Sequence, residues 1–395
     1  MTARPIYLDH NATTPVLPEV VDAMLPFLTE HFGNPSSAHA YGRKARESIE
    51  RARAEVAALV GCDADEIIFT SGATEASNLA IRGVKNGDRR RVVTSVIEHP
   101  ATLGAVSSLA SQGYQVVRLG VDAAGQFSMR ELVAEVDEST ALVTLAHSNG
   151  ETGVLQPVRE AVMAARRVLA LMHTDAAQSV GKVPIDVRMM DVDLMSIAGH
   201  KLYAPKGVGA LYVRRGVKID PLVLGAGHER GVRPGTENVA SIVGFGAACV
   251  IALRDLERES ARVQELRNLL WTLLSGEIPG LAVNGHATNR LSNTLSVRFP
   301  DVSGIALLAR ATGVAASTGS ACHDGNERPS DVLLAMGIGA DEARGAVRLS
   351  LGRATTHEDV ERAAGELVSV WRDLAIPRFQ RSAVREYSAR DAPDS

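Results

Sequence analysis

Four short stretches carry residue types and spacings that could do chemistry. In FTSGATEASNLAI (69–81), Ser71, Gly72, Ala73 and Thr74 fall where a strand ends and a helix begins. Free N–H groups and hydroxyls at that junction suit a phosphate. They equally suit plain capping, with Glu75 favoured by the helix dipole. MHTDAAQSVG (172–181) ends a strand with Asp175, at the sheet edge where open α/β folds bind ligands. A carboxylate there can hold a protonated ring nitrogen, or cap a helix, or close an ion pair. LMSIAGHKLYAPKGVG (194–209) sets Lys201 beside Gly199 and His200 at another strand end. Partial desolvation there lets an amine lose its proton and condense with an aldehyde; a surface lysine is the alternative. STGSACHDGNERPS (317–330) puts Cys322 between Gly319 and Gly325 in a polar loop, where a thiol can be a nucleophile or merely exposed. Anchor, acid and amine are together the three fixtures that pyridoxal phosphate requires.

The elements that must position these residues are legible as alternating patterns. EIIFT, RVVTSV, QVVRLG, TALVTLAH, VLALMHTDA, VDLMSIA and GVGALYVRR are short apolar runs of strand type, separated by helical or irregular stretches. Such alternation predicts a mainly parallel sheet covered on both faces. PEVVDAMLPFLTEHF starts a helix at Pro18, and YGRKARESIERARAEVAALVG places Ala45, Ile49, Ala52, Val56, Leu59 and Val60 on one face, with Gly61 to end it. GAACVIALRDLERESARVQELRNLLWTLLSG predicts one long amphipathic helix linking two domains. NTLSVRF, VRLSLG and a final helix complete an α+β region. The expected division is a large domain over 15–255 and a small one from 1–14 plus 256–395.

Composition narrows the class. The 395 residues are 45% hydrophobic and 22% charged, with 46 acids against 42 bases, as in a globular protein with two domains. The net charge of −4 argues against a nucleic-acid or anionic-membrane face. No apolar run approaches the roughly 18 residues of a bilayer span, and MTARPIYLDHNATTP has no signal-peptide core. Three widely spaced cysteines form neither a disulfide framework nor a zinc pattern, which predicts a reducing cytoplasm and no required metal. Cys62 and Cys249 are expected to be packing residues. Neither Walker A nor G-x-G-x-x-G occurs.

The motifs in their order, YLDHNATTP, FGNPSSAH, FTSGATE, SNGETG, TDAAQSVGK, GHKLYAPKGVGALYVRR, GHERGVRPGTEN, STGSACHDG and VRLSLGR, resemble the cysteine desulfurases over nearly the whole chain. These are pyridoxal-phosphate enzymes of the aminotransferase class V fold, within fold type I: an α/β large domain with a mainly parallel sheet and a smaller α+β domain. The resemblance implies a Schiff base at Lys201, a ring-nitrogen partner in Asp175 and a hydrogen bond from Gln178 to the ring's phenolic oxygen. His99 would stack on the ring and move protons. Ala73, Thr74 and His200 would hold the phosphate, with Thr236 reaching across from the second subunit of a homodimer. Asn149 and Arg348 would bind the substrate, Arg348 as a bidentate carboxylate clamp. Ala198 stands where the family often has serine, so one hydroxyl contact to the phosphate is lacking.

The implied reaction takes L-cysteine to L-alanine and leaves the sulfur on Cys322 as a persulfide, for an acceptor or scaffold protein. A thiol that must visit a buried cofactor and then an acceptor needs a mobile segment. His323 would favour its thiolate and Asp324 oppose it. Iron–sulfur assembly, tRNA thiolation and DNA phosphorothioation are the acceptor pathways the family implies. A transaminase needs no loop cysteine; a selenocysteine lyase, or a cofactor-free scaffold that only binds relay proteins, is the alternative reading of the same residues.

Overall fold

A computed structural model of the chain describes residues 4–318 and 328–375. Each of the seven strand-type runs forms a strand. Their order across one sheet is Ile67–Thr70, Gly209–Val213, Leu194–Ala198, Leu171–Asp175, Thr140–Ala146, Arg91–Ser95 and Gln115–Leu119. Gly209–Val213 runs antiparallel to both neighbours, and every other pairing is parallel. The inner strands are buried along almost their whole length. Their continuous apolar character follows from helices on both faces.

Helix ends follow local chemistry. Ala40–Val60 stops at Gly61, whose φ of 75° is left-handed and costs a glycine little. The PEVVDAMLPFLTEHF stretch is two helices, Pro18–Met24 and Pro26–Thr29, because Pro26 has no N–H to continue the first. The long helix extends over Val239–Glu277. Its first half packs Ile242, Phe245, Ala248, Cys249, Ile251 and Ala252 into the apolar cluster around the large sheet. Its second half gives Val263, Leu266, Leu270 and Leu274 to a separate cluster.

That helix corrects one expectation. It contains an 18-residue window of mean hydropathy 1.8, long and apolar enough to cross a bilayer by composition, and 67% of that window is buried within the chain. Burial of this kind marks a core helix.

The second cluster sits on a three-stranded antiparallel sheet of Ala282–Val283, Thr294–Arg298 and Ala346–Ser350 and on the helix His357–Ala375. Ile6 and Leu8 from the chain's start are buried in it. The strand Ile6–Tyr7 pairs with Val314–Ala315. The next residues, 9–14, then cross to the large sheet, where Thr14 is bonded to His200.

Candidate active site

The carboxyl ends of five parallel strands open on one cavity of about 720 Å³. Residues 71–75 follow the first strand, 97–100 another, and 148–151, 175–178 and 198–201 the remaining three. This is the edge where doubly wound sheets bind ligands. Arg348 arrives from the small sheet, and Asn11 to Thr13 from the amino-terminal segment. Ala73, Thr74, His99, Asn149, Asp175, Gln178, His200, Lys201 and Arg348 therefore line one space.

Lys201 ends a short 3-10 turn, Gly199–Lys201, directly after a buried strand. Burial, with the Arg348 charge adding and Asp175 and Asp9 opposing, pushes its ammonium down to about 8. Asp175 closes its strand with Oδ1 accepting from Ala177 N at 2.9 Å. The helix Ala73–Gly83 begins at Gly72, which brings no side chain to cap the first-turn amides. A Cβ added at Gly72 would meet nothing within 4 Å, so the space beside this helix start is open, and residues 71–75 line the cavity. Thr74, His200 and Lys206 line the same cavity.

His200 is held neutral, its imidazole pushed down to about 4 by burial and by Lys201, Lys206 and Lys182. Its Nδ1 lies 3.1 Å from Thr13 Oγ1. His99 is both a structural and a cavity residue. It is the N-cap of the helix Pro100–Ala110, its Nδ1 accepting from Ala101 N at 3.1 Å. That bond places the imidazole hydrogen on Nε2. Burial, together with Lys201, lowers its proton affinity while Asp175 raises it.

Asn149 is largely committed to its own turn. Its Oδ1 accepts from Glu151 N, Thr152 N and Thr152 Oγ1, and its Nδ2 donates to Ile97 O. One amide hydrogen is left for a ligand. Arg348 donates from Nη1 to Gly150 O at 3.1 Å and from Nη2 to Asp9 Oδ1 at 2.7 Å. Its Nε is buried without a partner among the described residues, and an inbound carboxylate could occupy it. Thr236 is not in this cavity and lines a separate cleft with Asn34, Arg46, Arg53 and His228. The predicted nucleophile Cys322 lies outside the described residues.

The sequence reading passed over five residues that the fold brings here. Asp9 pairs Arg348. Asn11 joins Gln178, Lys182, Asn293 and Thr294. Glu98 is fully buried, with Oε1 accepting from Ser95 Oγ and Ala146 N, and burial pushes its carboxyl up to about 8. Glu151 accepts from Ser330 Oγ at 2.7 Å, and Lys182 donates to Gln178. A charged residue inside a short motif otherwise made of small or polar residues was the available signal for Glu98 and Glu151.

The residues fit pyridoxal phosphate. Uncapped first-turn amides suit its phosphate, the strand-end carboxylate its ring nitrogen, and the depressed amine its aldehyde. Comparison with known proteins agrees. Residues 6–363 match the Aminotransferase class-V family model. Over 361 residues the chain is 44% identical to the cysteine desulfurase of Trichormus azollae, covering 90% of each. A solved structure described as a NifS-like protein superposes with a TM-score of 0.87 at 36% identity, over 93% of this chain and 99% of that one. The structure of DndA from Streptomyces lividans superposes with a TM-score of 0.75, also at 36% identity, over 89% and 98%.

Proposed function

The chain belongs to the aminotransferase class-V family, and from that premise we infer that the protein is a pyridoxal-phosphate-dependent cysteine desulfurase. It converts L-cysteine to L-alanine and hands the sulfur on within a sulfur-transfer pathway. The observation that carries this reading is a lysine depressed to about 8 in one cavity with a strand-end aspartate and an uncapped helix start.

When bound, pyridoxal phosphate supplies an aldehyde for amine capture and a ring that withdraws electrons from the substrate's Cα. Lys201 is the residue that would bond it, and afterwards the base that takes the Cα proton. An amine near 8 is in part unprotonated at neutral pH, as that task requires. Asp175 would hold the ring nitrogen, and Thr74, His200 and the amides of Ala73 and Thr74 would hold the phosphate. His99 would flank the ring, with its Nε2 hydrogen free for a donor role. Because its Nδ1 is engaged by Ala101 N, we assign proton removal to Lys201 and donation to His99. Arg348 takes the substrate carboxylate, with a minor contact from Asn149.

We further read Cys322 as the thiol that receives the sulfur. Its thiolate attacks the substrate's sulfur, an S–S bond forms as the Cβ–S bond breaks, and the carbon takes a proton to become alanine. Atoms balance: L-cysteine and a thiol give L-alanine and a persulfide. The persulfide then passes to an acceptor protein, in a reducing compartment that we take to be the cytoplasm. We also read the molecule as a homodimer, since Thr236 lines a cleft separate from its own chain's cavity and suits a phosphate contact in the neighbour's. Two separate apolar clusters support a large domain over 15–255 and a small one from 1–14 plus 256–395.

The test is alanine formed from L-cysteine by purified protein, with added thiol, beside Cys322→Ala. Alanine from the native protein alone supports the reading. Equal alanine from both removes Cys322 from the mechanism, and none from either, with cofactor bound, refutes the desulfurase activity.

A further inference from the structure

We propose that Lys182 is a positioning residue that locks the side-chain amide of Gln178, so that Gln178 meets the cofactor's phenolic oxygen with a hydrogen-bond donor. The proposal rests on the reading that this cavity holds pyridoxal phosphate.

Lys182 lies outside the cavity wall, four residues after Gln178, with its Nζ 3.1 Å from Gln178 Oε1 and 3.1 Å from Asn11 Oδ1. Which way an amide points is normally inferred from its neighbours, and here every neighbour agrees. Asn11 Nδ2 donates to Thr294 Oγ1 and Gly150 O, so Asn11 turns its oxygen to Lys182. Asn293 Nδ2 donates to that same oxygen. Gln178 Nε2 donates to the carbonyl of Asn11 at 3.0 Å, and a carbonyl can only accept. Gln178 Oε1 is thereby turned to Lys182. A flipped amide would set oxygen against oxygen at Asn11 and NH2 against the Lys182 donors.

The clamp leaves one Nε2 hydrogen. Gln178 and Gly150 both line the cavity, and a Cβ added at Gly150 would lie 3.0 Å from Nε2, which sets this end of the amide beside the cavity rim. An acceptor with anionic character is what a spare amide hydrogen at that rim recognises, and a phenolic oxygen ionised beside a charged cavity provides it.

The charged surroundings of Lys182 are cationic. Lys201 and Arg348 act on it, and burial with these two charges holds its ammonium well below the ordinary lysine range. His10 and His200 feel it in turn. A direct field of Lys182 on the cofactor is therefore the competing explanation for any effect of its removal.

The experiment reads the pH at which the visible absorption of the bound cofactor changes, in holoenzyme without substrate. Native protein, K182M, Q178A and the double variant are compared, with K182Q in place of K182M should the latter lose cofactor. Releasing the amide weakens a donor to the ionised oxygen, so the midpoint in K182M should rise, by about half a pH unit or more. In the Q178A background the same substitution should add nothing. A midpoint unchanged in K182M overturns the role of Lys182 and leaves the cofactor reading intact. A shift that persists in full without Gln178 overturns it as well, in favour of the direct field. A native protein with no visible band overturns the cofactor reading itself.

Discussion

At the scale of single residues, the site is a set of groups held away from their ordinary states. Lys201 is the clearest case. Its ordinary value is 10.5, and burial brings it to about 8. The full-length protein freed of cofactor should therefore recapture it at a rate that climbs with pH to a midpoint near 8. A midpoint above 10 would show that the amine is solvated. Lys201→Ala should carry no covalent chromophore at all. Arg348 tests the substrate end. Nη2 is fixed by Asp9, and that bond joins residues 339 positions apart. If Asp9 aims the guanidinium, Asp9→Ala should raise the KM for L-cysteine about tenfold, the size of one lost charge-assisted bond, with kcat little changed. Asp9→Asn keeps an oxygen and should fall between. An Asp9→Ala variant with unchanged KM would leave Asp9 as a strut of the small sheet.

At the scale of elements, the sequence was most legible where periodicity is local. Seven strands and the ends at Pro18 and Gly61 follow from short-range patterns, and so does the motif-bearing edge of the sheet. The break at Pro26 went unread although a proline inside a helical pattern announces it. The Arg348 partner of Asp9 and the Asn11 partner of Lys182 were illegible for another reason. Both are set by how the amino-terminal segment threads between sheets, which no window of sequence contains. The turn His228–Gly231, which precedes Thr236 and lines the same cleft, belongs to the same class. It bends through left-handed Glu229 (φ 47°) and Arg230 (φ 58°), conformations that ordinary side chains resist. What holds it is buried and remote. Arg53 donates to both carboxylate oxygens of Glu229, at 2.7 and 2.8 Å, and Phe69 N adds a third bond. Arg53→Met strands a buried carboxylate and should cost roughly 3 kcal/mol or more of stability. If Thr236 serves a neighbour's phosphate, the same variant should also release cofactor faster during dialysis. Stability lost with cofactor retention unchanged would mean that the turn is structural only.

At the scale of the whole molecule, buried titrating groups impose a pH dependence on folding that is separate from that of the chemistry. His147 and His173 lie behind the cavity wall, hydrogen-bonded to Ser179 and to Thr144 and Ser196. Burial pushes them down to about 4 and about 3. An unfolded chain protonates both below about 6.5, while the folded chain does not. Stability thus falls as pH drops from 6.5 towards 4, by roughly 1.4 kcal/mol per pH unit for each histidine. Glu98 acts with the opposite sign. Its folded value is raised to about 8, so its contribution is whole below about 4.5 and is lost as pH rises through 8. Between 4.5 and 6.5 the histidines, His10 and His200 included, outweigh one carboxyl and stability climbs with pH. Above 6.5 the histidines no longer contribute to the slope, and the falling contribution of Glu98 is opposed by the depressed Lys182. The thermal midpoint should therefore climb steeply up to about pH 6.5 and level off above it. His173→Gln should lower the whole curve and flatten its acid limb. Glu98→Gln should remove its downward pull across the whole range from 4.5 to 8 and so steepen the acid limb. A native midpoint that holds level down to pH 5 would mean that these histidines are not kept neutral by burial, and the same burial could not then be depressing Lys201.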